Sequence, residues 1–340
     1  MQTKNINEMP GFPFNLHARF TRCFVAGRRI VFGHWLSRWF THGPLPIDAS
    51  GESANELLRS VLENDKPCLI SRFGACEMEA VLRGIDVNRK AFVPWKVLLM
   101  AVGEGGVFWW DNSIRARLCW NAGFFPPTDD AMNSFANRVC KDVSQIDVLG
   151  SWLPGEKQLR KFYAEGLKVI PFEDLEPFWS KIPWTSSLAG KKVLVIHPFT
   201  DTIRAQYEKR KVLFRDSRML PDFHLMTYRT VSSFAGNITP YKTWFEALDK
   251  MCGDIEKIDF DIALIGCGAY GMSIGAFVKR ELKRKAVHLG GVTQLFFGIK
   301  GGRWDKVPKY CEGLYNEHWV RPFDSDKVRN VKSIEGGCYW

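Results

Sequence analysis

Asp261-Ile-Ala-Leu-Ile265 and the turn Gly266-Cys-Gly-Ala-Tyr-Gly271 decide the fold class of this chain. The apolar run predicts a buried strand, and an amphipathic helix follows the turn to about Lys283. Lys285-Ala-Val-His-Leu289 predicts the next strand. Together they predict a βαβ unit, in which Gly266, Gly268 and Gly271 let a phosphate approach the free N–H groups at a helix N-terminus. The alternative is a tight turn that binds nothing.

The second strand of this unit ends differently from that of a dinucleotide-binding protein. Such a protein carries Asp or Glu about 20 residues after the glycines, where it holds the ribose. Here His288 and Leu289 are followed by two glycines. The pattern therefore favours a phosphate-bearing ligand other than NAD, although Arg284 could serve as a ribose partner for NADP.

The rest of the chain alternates between short apolar runs and longer amphipathic segments. Strands are predicted at 67–70, 146–149, 168–170 and 191–197, and helices at 53–64, about 77–84, 107–145, 200–214 and 241–252. This alternation predicts an α/β, Rossmann-like fold: a mostly parallel sheet with helices on both faces, preceded by a basic aromatic N-terminal arm. We expect the arm to span residues 1–48 and the domain 49–300, with the aperiodic residues 301–340 wrapping around it.

The net charge and the cysteine pattern restrict the possible binding partners and the cellular compartment of the protein. The chain has 340 residues and a formal net charge of +10, which favours an anionic partner. Its nine cysteines form no Cys-x-x-Cys pair, which is typical of a protein in a reducing cytosol. No signal peptide and no apolar run of membrane-spanning length is visible. We therefore expect a cytoplasmic protein and, without a nucleic-acid-binding motif, no nucleic-acid partner.

The N-terminal arm has a composition of its own. No acidic residue occurs between Glu8 and Asp48, and arginines alternate there with Phe and Trp. Basic groups attract anionic lipid while aromatic rings sit at the headgroup level. We therefore expect residues 11–40 to hold the protein peripherally at the inner face of the cell membrane. The alternative is an arm packed on its own domain or on a partner subunit.

The parallel topology predicts where a ligand binds. The carboxyl ends of parallel strands share one edge of the sheet, and ligands of such folds bind there. Five segments are then expected to line that edge: 72–77, 152–156, 197–202, 266–271 and 288–293.

The first of these segments, Ser71-Arg-Phe-Gly-Ala-Cys-Glu77, joins a cation, a flexible glycine and a carboxylate on one strand-to-helix turn. Arg72 could pair with phosphate through its planar fork. Glu77 could bind a metal or a sugar hydroxyl. The alternative is an ordinary Arg72–Glu77 ion pair that caps the helix.

Together with the downstream glycine turn, this motif resembles the GT-D class of bacterial glycosyltransferases. That class carries an Arg-Phe-Gly-Asp-Gly-Glu type motif and a later strand that ends in Asp-Ile-Gly-His, and the resemblance covers about residues 53–300. It implies a nucleotide-sugar donor whose diphosphate is held by a divalent metal on the Asp-x-Glu pair. Arg72, Gly74 and Glu77 match the motif, whereas Ala75 and His288 stand at the aspartate positions. Two alternatives follow: Glu77 alone holds Mn or Mg with water and substrate oxygens, or basic residues neutralise the leaving diphosphate without metal.

The other strand ends supply further candidates. Thr200, Thr202 and Arg204 begin the helix after the strand at 191–197, which suits phosphate contacts. Lys209 to Lys211 follow on the same helix and form either a second cationic group or a solvated face.

Candidates for the base and for stacking also lie on this edge. His197 or His288 could take the acceptor proton, with Asp201 and Glu77 as rival bases. Trp152 or Tyr270 could stack on a sugar or a base, and each is otherwise a core residue.

These features predict a glycosyltransferase that moves a sugar from a nucleotide sugar to a bacterial surface-glycan or lipid-linked acceptor, as in capsule polysaccharide biosynthesis. One alternative is a Rossmann enzyme dependent on NAD(P) or S-adenosylmethionine. The other is a catalytically degenerate scaffold in glycan assembly, which the substitutions Ala75 and His288 favour.

Overall fold

A computed structural model describes residues 45–102, 107–327 and 337–340. The membrane contact predicted for residues 11–40 lies outside the described residues. Leu45, which was predicted to belong to the arm, is buried in the core. Asp48 also exchanges hydrogen bonds with Val169: its backbone N–H donates to Val169 O at 2.8 Å, and its carboxylate accepts from Val169 N at 2.7 Å.

Seven parallel strands form one sheet, in the order β3-β2-β1-β7-β6-β4-β5. This confirms the predicted Rossmann-like α/β class. The strands are β1 Leu69–Ser71, β2 Val148–Ser151, β3 Lys168–Pro171, β4 Lys192–His197, β5 His224–Arg229, β6 Ile262–Ile265 and β7 Lys285–His288.

Helices cover both faces of this sheet. Successive strand residues alternate between two hydrophobic cores, as the two-residue period of a strand requires: Leu194 packs in one core, and Val193 and Val195 pack in the other. The helices are α1 Glu52–Glu63, α2 Ala75–Asn88, α3 Val93–Val102, α4 Asn112–Ala122, α5 Asp129–Asp142, α6 Thr200–Glu208, α7 Arg210–Leu213, α8 Trp244–Ile255, α9 Gly271–Arg280 and α10 Pro308–Cys311, with a 3-10 helix at Gly290–Phe297.

The helical region predicted at 107–145 is interrupted. The Asp111 carboxylate caps the start of α4 by accepting from the N–H groups of Ser113 and Ile114. Gly123, with φ of 80°, ends α4 in the left-handed region, and the Thr128 hydroxyl caps α5. Two helices with a short break between them therefore account for the region that was predicted to be mostly helical.

The strand β5 and the helix α3 were not predicted. β5 is an edge strand whose residues are half-buried or exposed, so its sequence His-Leu-Met-Thr-Tyr-Arg lacks the apolar run that marks the central strands. In the part of the chain that the structure describes, no helix is long and apolar enough to cross a membrane.

Candidate functional site

A cavity opens at the carboxyl edge of the sheet. Its volume is about 160 Å³, well above the space that one water molecule needs. The chain leaves β4 toward β5 on one side and leaves β6 toward β7 on the other, so the cavity lies at a topological switch point. Each of the five predicted segments contributes to its lining, among others through Arg72, Trp152, His197, Gly266 and Gly290.

Arg72 follows β1 and is held by backbone carbonyls. Its Nε donates to Leu289 O at 3.3 Å, and one terminal nitrogen donates to Phe73 O at 3.0 Å. The other terminal nitrogen lies over Gly290, where a Cβ would approach it to 1.6 Å. Gly290 also has φ of +65°, so both the close approach and the backbone require glycine. Arg72 is therefore a positioned cation in the wall of the cavity.

Glu77 lies in the first turn of α2 and also lines the cavity. Its carboxylate folds back onto Gly74, where a Cβ would lie 2.0 Å from Oε2. Gly74 is the residue before the helix, so Glu77 stands at the third helical position, from which a carboxylate reaches back to the helix start. Glu77 is the only Asp or Glu among the described residues that line the cavity.

His288 ends β7 and is buried. Its Nδ1 lies 3.0 Å from the Ser71 hydroxyl, and its Nε2 packs on Gly271, where a Cβ would approach to 2.2 Å. Burial, and secondarily the charge of Arg72, lowers the pKa of His288 to about 3. The imidazole is therefore neutral at physiological pH, with both nitrogens against the protein.

His197 ends β4 and is also buried and neutral, because burial lowers its pKa to about 3. Its Nδ1 accepts a hydrogen bond from Phe199 N at 3.0 Å. That bond assigns the proton of the neutral ring to Nε2. With the proton on Nε2 and Nδ1 already bonded, the geometry does not favour the role of base predicted for His197.

The glycine turn after β6 is packed mainly against the protein itself. A Cβ on Gly266 would lie 2.6 Å from Gly290 O, and one on Gly268 would lie 2.7 Å from Ala122 O. Gly271 provides room for the His288 ring. Gly266 and Gly268 line the cavity, whereas Gly271 does not. The tight packing of neighbouring segments thus accounts for all three glycines.

Thr200 and Thr202, in the first turn of α6, do not line the cavity, although the preceding Phe199 does. Asp326, in the C-terminal segment, accepts hydrogen bonds from Thr202 N at 2.7 Å and from Thr202 Oγ1 at 2.6 Å. It also pairs with Arg229 at 2.8 Å. The protein's own carboxylate therefore takes the position that was predicted for a phosphate.

Neither the other α6 candidates nor the cationic run that follows reach the cavity. Arg204 pairs with Asp201 at 2.5 Å on the surface, and Arg210 pairs with Asp222 at 2.5 Å. Thr200, Asp201, Arg204 and Lys209 to Lys211 are all outside the cavity lining.

The two aromatic residues predicted to stack on a ligand, Tyr270 and Trp152, differ in their exposure. Tyr270 is fully buried and stacks on Trp244 at 5.1 Å, so it is a core residue. Trp152 is 41% exposed and lines the cavity. Its ring packs on Phe172 at 5.2 Å, and its Nε1 donates to Phe73 O at 3.0 Å. Trp152 therefore forms a fixed aromatic wall on which a ring could stack.

The C-terminal segment contributes residues that sequence reasoning did not find. Arg303, Tyr339 and Trp340 line the cavity, together with Gln294 from the 3-10 helix Gly290–Phe297. Tyr339 packs on Gly291, where a Cβ would lie 2.2 Å from its ring, and the guanidinium of Arg303 lies 4.7 Å from the Tyr339 ring centroid. The sequence did contain one signal for these contacts, the consecutive glycines 290 and 291. A side chain from a distant segment packs against each of them: Arg72 against Gly290 and Tyr339 against Gly291.

The donor set does not fit a metal ion held by the protein. Within residues 45–102, 107–327 and 337–340, no group of three His, Cys, Asp or Glu could hold one. Ala75 offers no donor atom, and both nitrogens of His288 face the protein. Glu77 alone would leave nearly the whole octahedral shell of Mg or Mn to water and substrate.

Arg284 does not support NADP binding. It precedes β7 and so lies at the opposite, amino edge of the sheet. Its guanidinium donates to Ile258 O at 2.6 Å and stacks on Phe260 at 4.5 Å.

No protein-family model, no curated protein and no solved structure matches this chain.

Proposed function

We propose that this chain is a glycosyltransferase that moves a sugar from a nucleotide-sugar donor to a bacterial surface-glycan or lipid-linked acceptor. One observation carries the proposal: a cavity at the sheet's carboxyl edge combines a positioned guanidinium, Arg72, with one carboxylate, Glu77. A planar guanidinium matches a diphosphate in shape and charge. A carboxylate can accept hydrogen bonds, or a proton, from sugar hydroxyls.

In the proposed reaction, an acceptor hydroxyl attacks the anomeric carbon of the donor sugar. The new C–O bond forms as the C–O bond to the diphosphate breaks, and the bonding electrons remain on the departing phosphate oxygen. Arg72 stabilises the negative charge that develops there. Glu77 takes the proton of the attacking hydroxyl.

Glu77 is preferred to the histidines as the base for two reasons. The Nδ1 of His197 already accepts a hydrogen bond from Phe199 N at 3.0 Å, so it cannot take the acceptor proton without breaking that bond. In addition, the ring nitrogens of His288 contact Ser71 and Gly271 rather than open space.

A catalytically silent scaffold in glycan assembly is the second candidate. The fold-back of Glu77 onto Gly74 favours it, because a carboxylate at this position commonly caps a helix. A scaffold would bind a nucleotide sugar without consuming it, so binding and turnover separate the two functions.

The test is nucleotide release from UDP-, GDP-, CMP- and dTDP-sugars, with and without membrane glycolipid extract as acceptor. We expect one donor class to be consumed by the wild-type protein. Glu77→Gln should lower the rate at least a hundredfold while the thermal unfolding midpoint stays within a few degrees.

The matched control is Glu79→Gln on the same helix, where the exposed Glu79 pairs with Arg117 at 2.5 Å and does not line the cavity. Equal rates for the two variants would remove Glu77 from the chemistry. Binding of one nucleotide sugar without any consumption would support the scaffold instead.

A further inference from the structure

Two arginine side chains line the cavity. Arg72 and Arg303 are joined there by Glu77, the one Asp or Glu among the described lining residues. His197 and His288 add no further positive charge, because both are buried and neutral. The planar guanidinium of arginine matches the geometry of phosphate oxygens, so a phosphate-bearing anion suits this lining.

The two arginines come from distant parts of the chain. Arg72 follows β1 and is fixed by the carbonyls of Phe73 and Leu289. Among the described residues, none accepts a hydrogen bond from its remaining terminal nitrogen, which lies over Gly290. A ligand oxygen can therefore bind that nitrogen without displacing the existing bonds.

Arg303 is held by the C-terminal residues of the chain. Its backbone N–H donates to Cys338 O at 2.8 Å, and its side chain lies on the Tyr339 ring. Tyr339 O in turn accepts from the Gln294 side chain at 3.1 Å. One of its terminal nitrogens also donates to Cys338 Sγ at 3.5 Å. The stacking fixes the plane of the guanidinium, whose five N–H groups are all donors, so Arg303 is a second positioned donor group.

We propose that this cavity binds the diphosphate of its ligand between Arg72 and Arg303, without a divalent cation. The inference deepens the proposed function and rests on it, because it assigns the charge stabilisation of the leaving group to two guanidiniums. The group that the two arginines bind is a diphosphate, which belongs either to free pyrophosphate or to a nucleotide. The donor set supports the proposal, since Ala75 and His288 leave Glu77 without a second oxygen ligand.

Isothermal titration of the full chain with pyrophosphate, UDP and GDP tests the proposal, first in EDTA and then in Mg or Mn. We expect one of the three probes to bind in EDTA, with an affinity that changes less than threefold on adding metal. Arg72→Gln and Arg303→Gln should each weaken binding at least tenfold. Arg204→Gln is the control, because its side chain pairs with Asp201 away from the cavity.

Several results would overturn the proposal: binding that requires Mg or Mn, no binding of any probe, or unchanged affinity in Arg303→Gln. Arg303 is exposed, so its variant should fold normally, and circular dichroism checks this for both variants. Stronger binding of UDP or GDP than of pyrophosphate would identify a nucleotide as the source of the diphosphate.

The failure of this inference can be told from the failure of the proposed function. Metal-free binding that depends on both arginines, without consumption of any nucleotide sugar, would support the diphosphate site and contradict the transferase. Sugar transfer that requires Mn and is unaffected by Arg303→Gln would support the transferase and contradict the metal-free diphosphate site.

Discussion

Gly74→Ala should inactivate the protein without unfolding it. A Cβ at residue 74 would lie 2.0 Å from Oε2 of Glu77 and 2.6 Å from its Cδ. Ordinary van der Waals contact begins at 3.4 Å, so the carboxylate must move by more than 1 Å. A displacement of about 1 Å at a catalytic group costs roughly a hundredfold in rate.

The backbone should tolerate this substitution. Gly74 has φ of −81° and ψ of 149°, an extended conformation that alanine adopts readily. The atom displaced is the end of a flexible side chain rather than backbone. We therefore expect the free energy of unfolding to change by about 1 kcal/mol or less.

The assay compares nucleotide release by wild type and Gly74→Ala from the donor that the nucleotide-sugar panel identifies, with thermal unfolding in parallel. Gly253→Ala in α8 is the control, because no atom lies within 4 Å of its Cβ position. A folded Gly74→Ala protein with wild-type turnover would refute the reasoning, since the position of the Glu77 carboxylate would then be irrelevant.

Three further outcomes are expected. Asp326→Ala removes a buried carboxylate that joins the start of α6 to Arg229, and should cost about 3 kcal/mol, measured as a midpoint lowered by roughly 5–10 °C; Asp324→Ala, an exposed residue, should leave it unchanged. Because the folded-state pKa values of His197 and His288 lie near 3, below the unfolded value near 6.5, stability should fall as pH drops from about 6.5 toward 3, by up to ~1.4 kcal/mol per pH unit for each. Denaturant titrations across that range should lose part of this slope in His197→Gln, and an unchanged slope would contradict the burial argument. Trp152→Ala should weaken nucleotide-sugar binding about tenfold by titration if a ring stacks on this wall, and no change would exclude that role.

The central sheet and the position of the cavity could be predicted because both depend on local patterns. Apolar runs such as Val193 to Ile196 mark strands that are buried on both faces. Parallel pairing then forces their carboxyl ends onto one edge, which places Arg72, His197 and Gly266 around one cavity.

The contents of the cavity could not be predicted in full, because they depend on contacts distant in sequence. Asp326 reaches the start of α6 from 124 residues away, and nothing local to Thr202 indicates that an internal carboxylate binds there. Arg303 and Tyr339 reach the site through a segment without periodicity. The edge strand β5 was missed because it is only half-buried. A continuous apolar run is needed only in a strand that is buried on both faces.

The glycine turn shows the limit of motif reasoning. Gly266 to Gly271 form the predicted strand-to-helix turn, yet each glycine is explained by a protein atom that a Cβ would meet. Close packing and phosphate binding require the same residue at the same place, so the sequence pattern alone does not separate them.

The most direct test of the central claim is a thermal-shift measurement on the wild-type protein and on Arg72→Gln, with nucleotide sugars, NADPH and S-adenosylmethionine in EDTA. A ligand at about 100 times its dissociation constant stabilises the folded state by about 2.7 kcal/mol. We predict that one class of nucleotide sugar raises the midpoint of the wild-type protein and that Arg72→Gln loses the effect. Stabilisation by NADPH or S-adenosylmethionine instead, or by a nucleotide sugar equally in both proteins, would contradict the account.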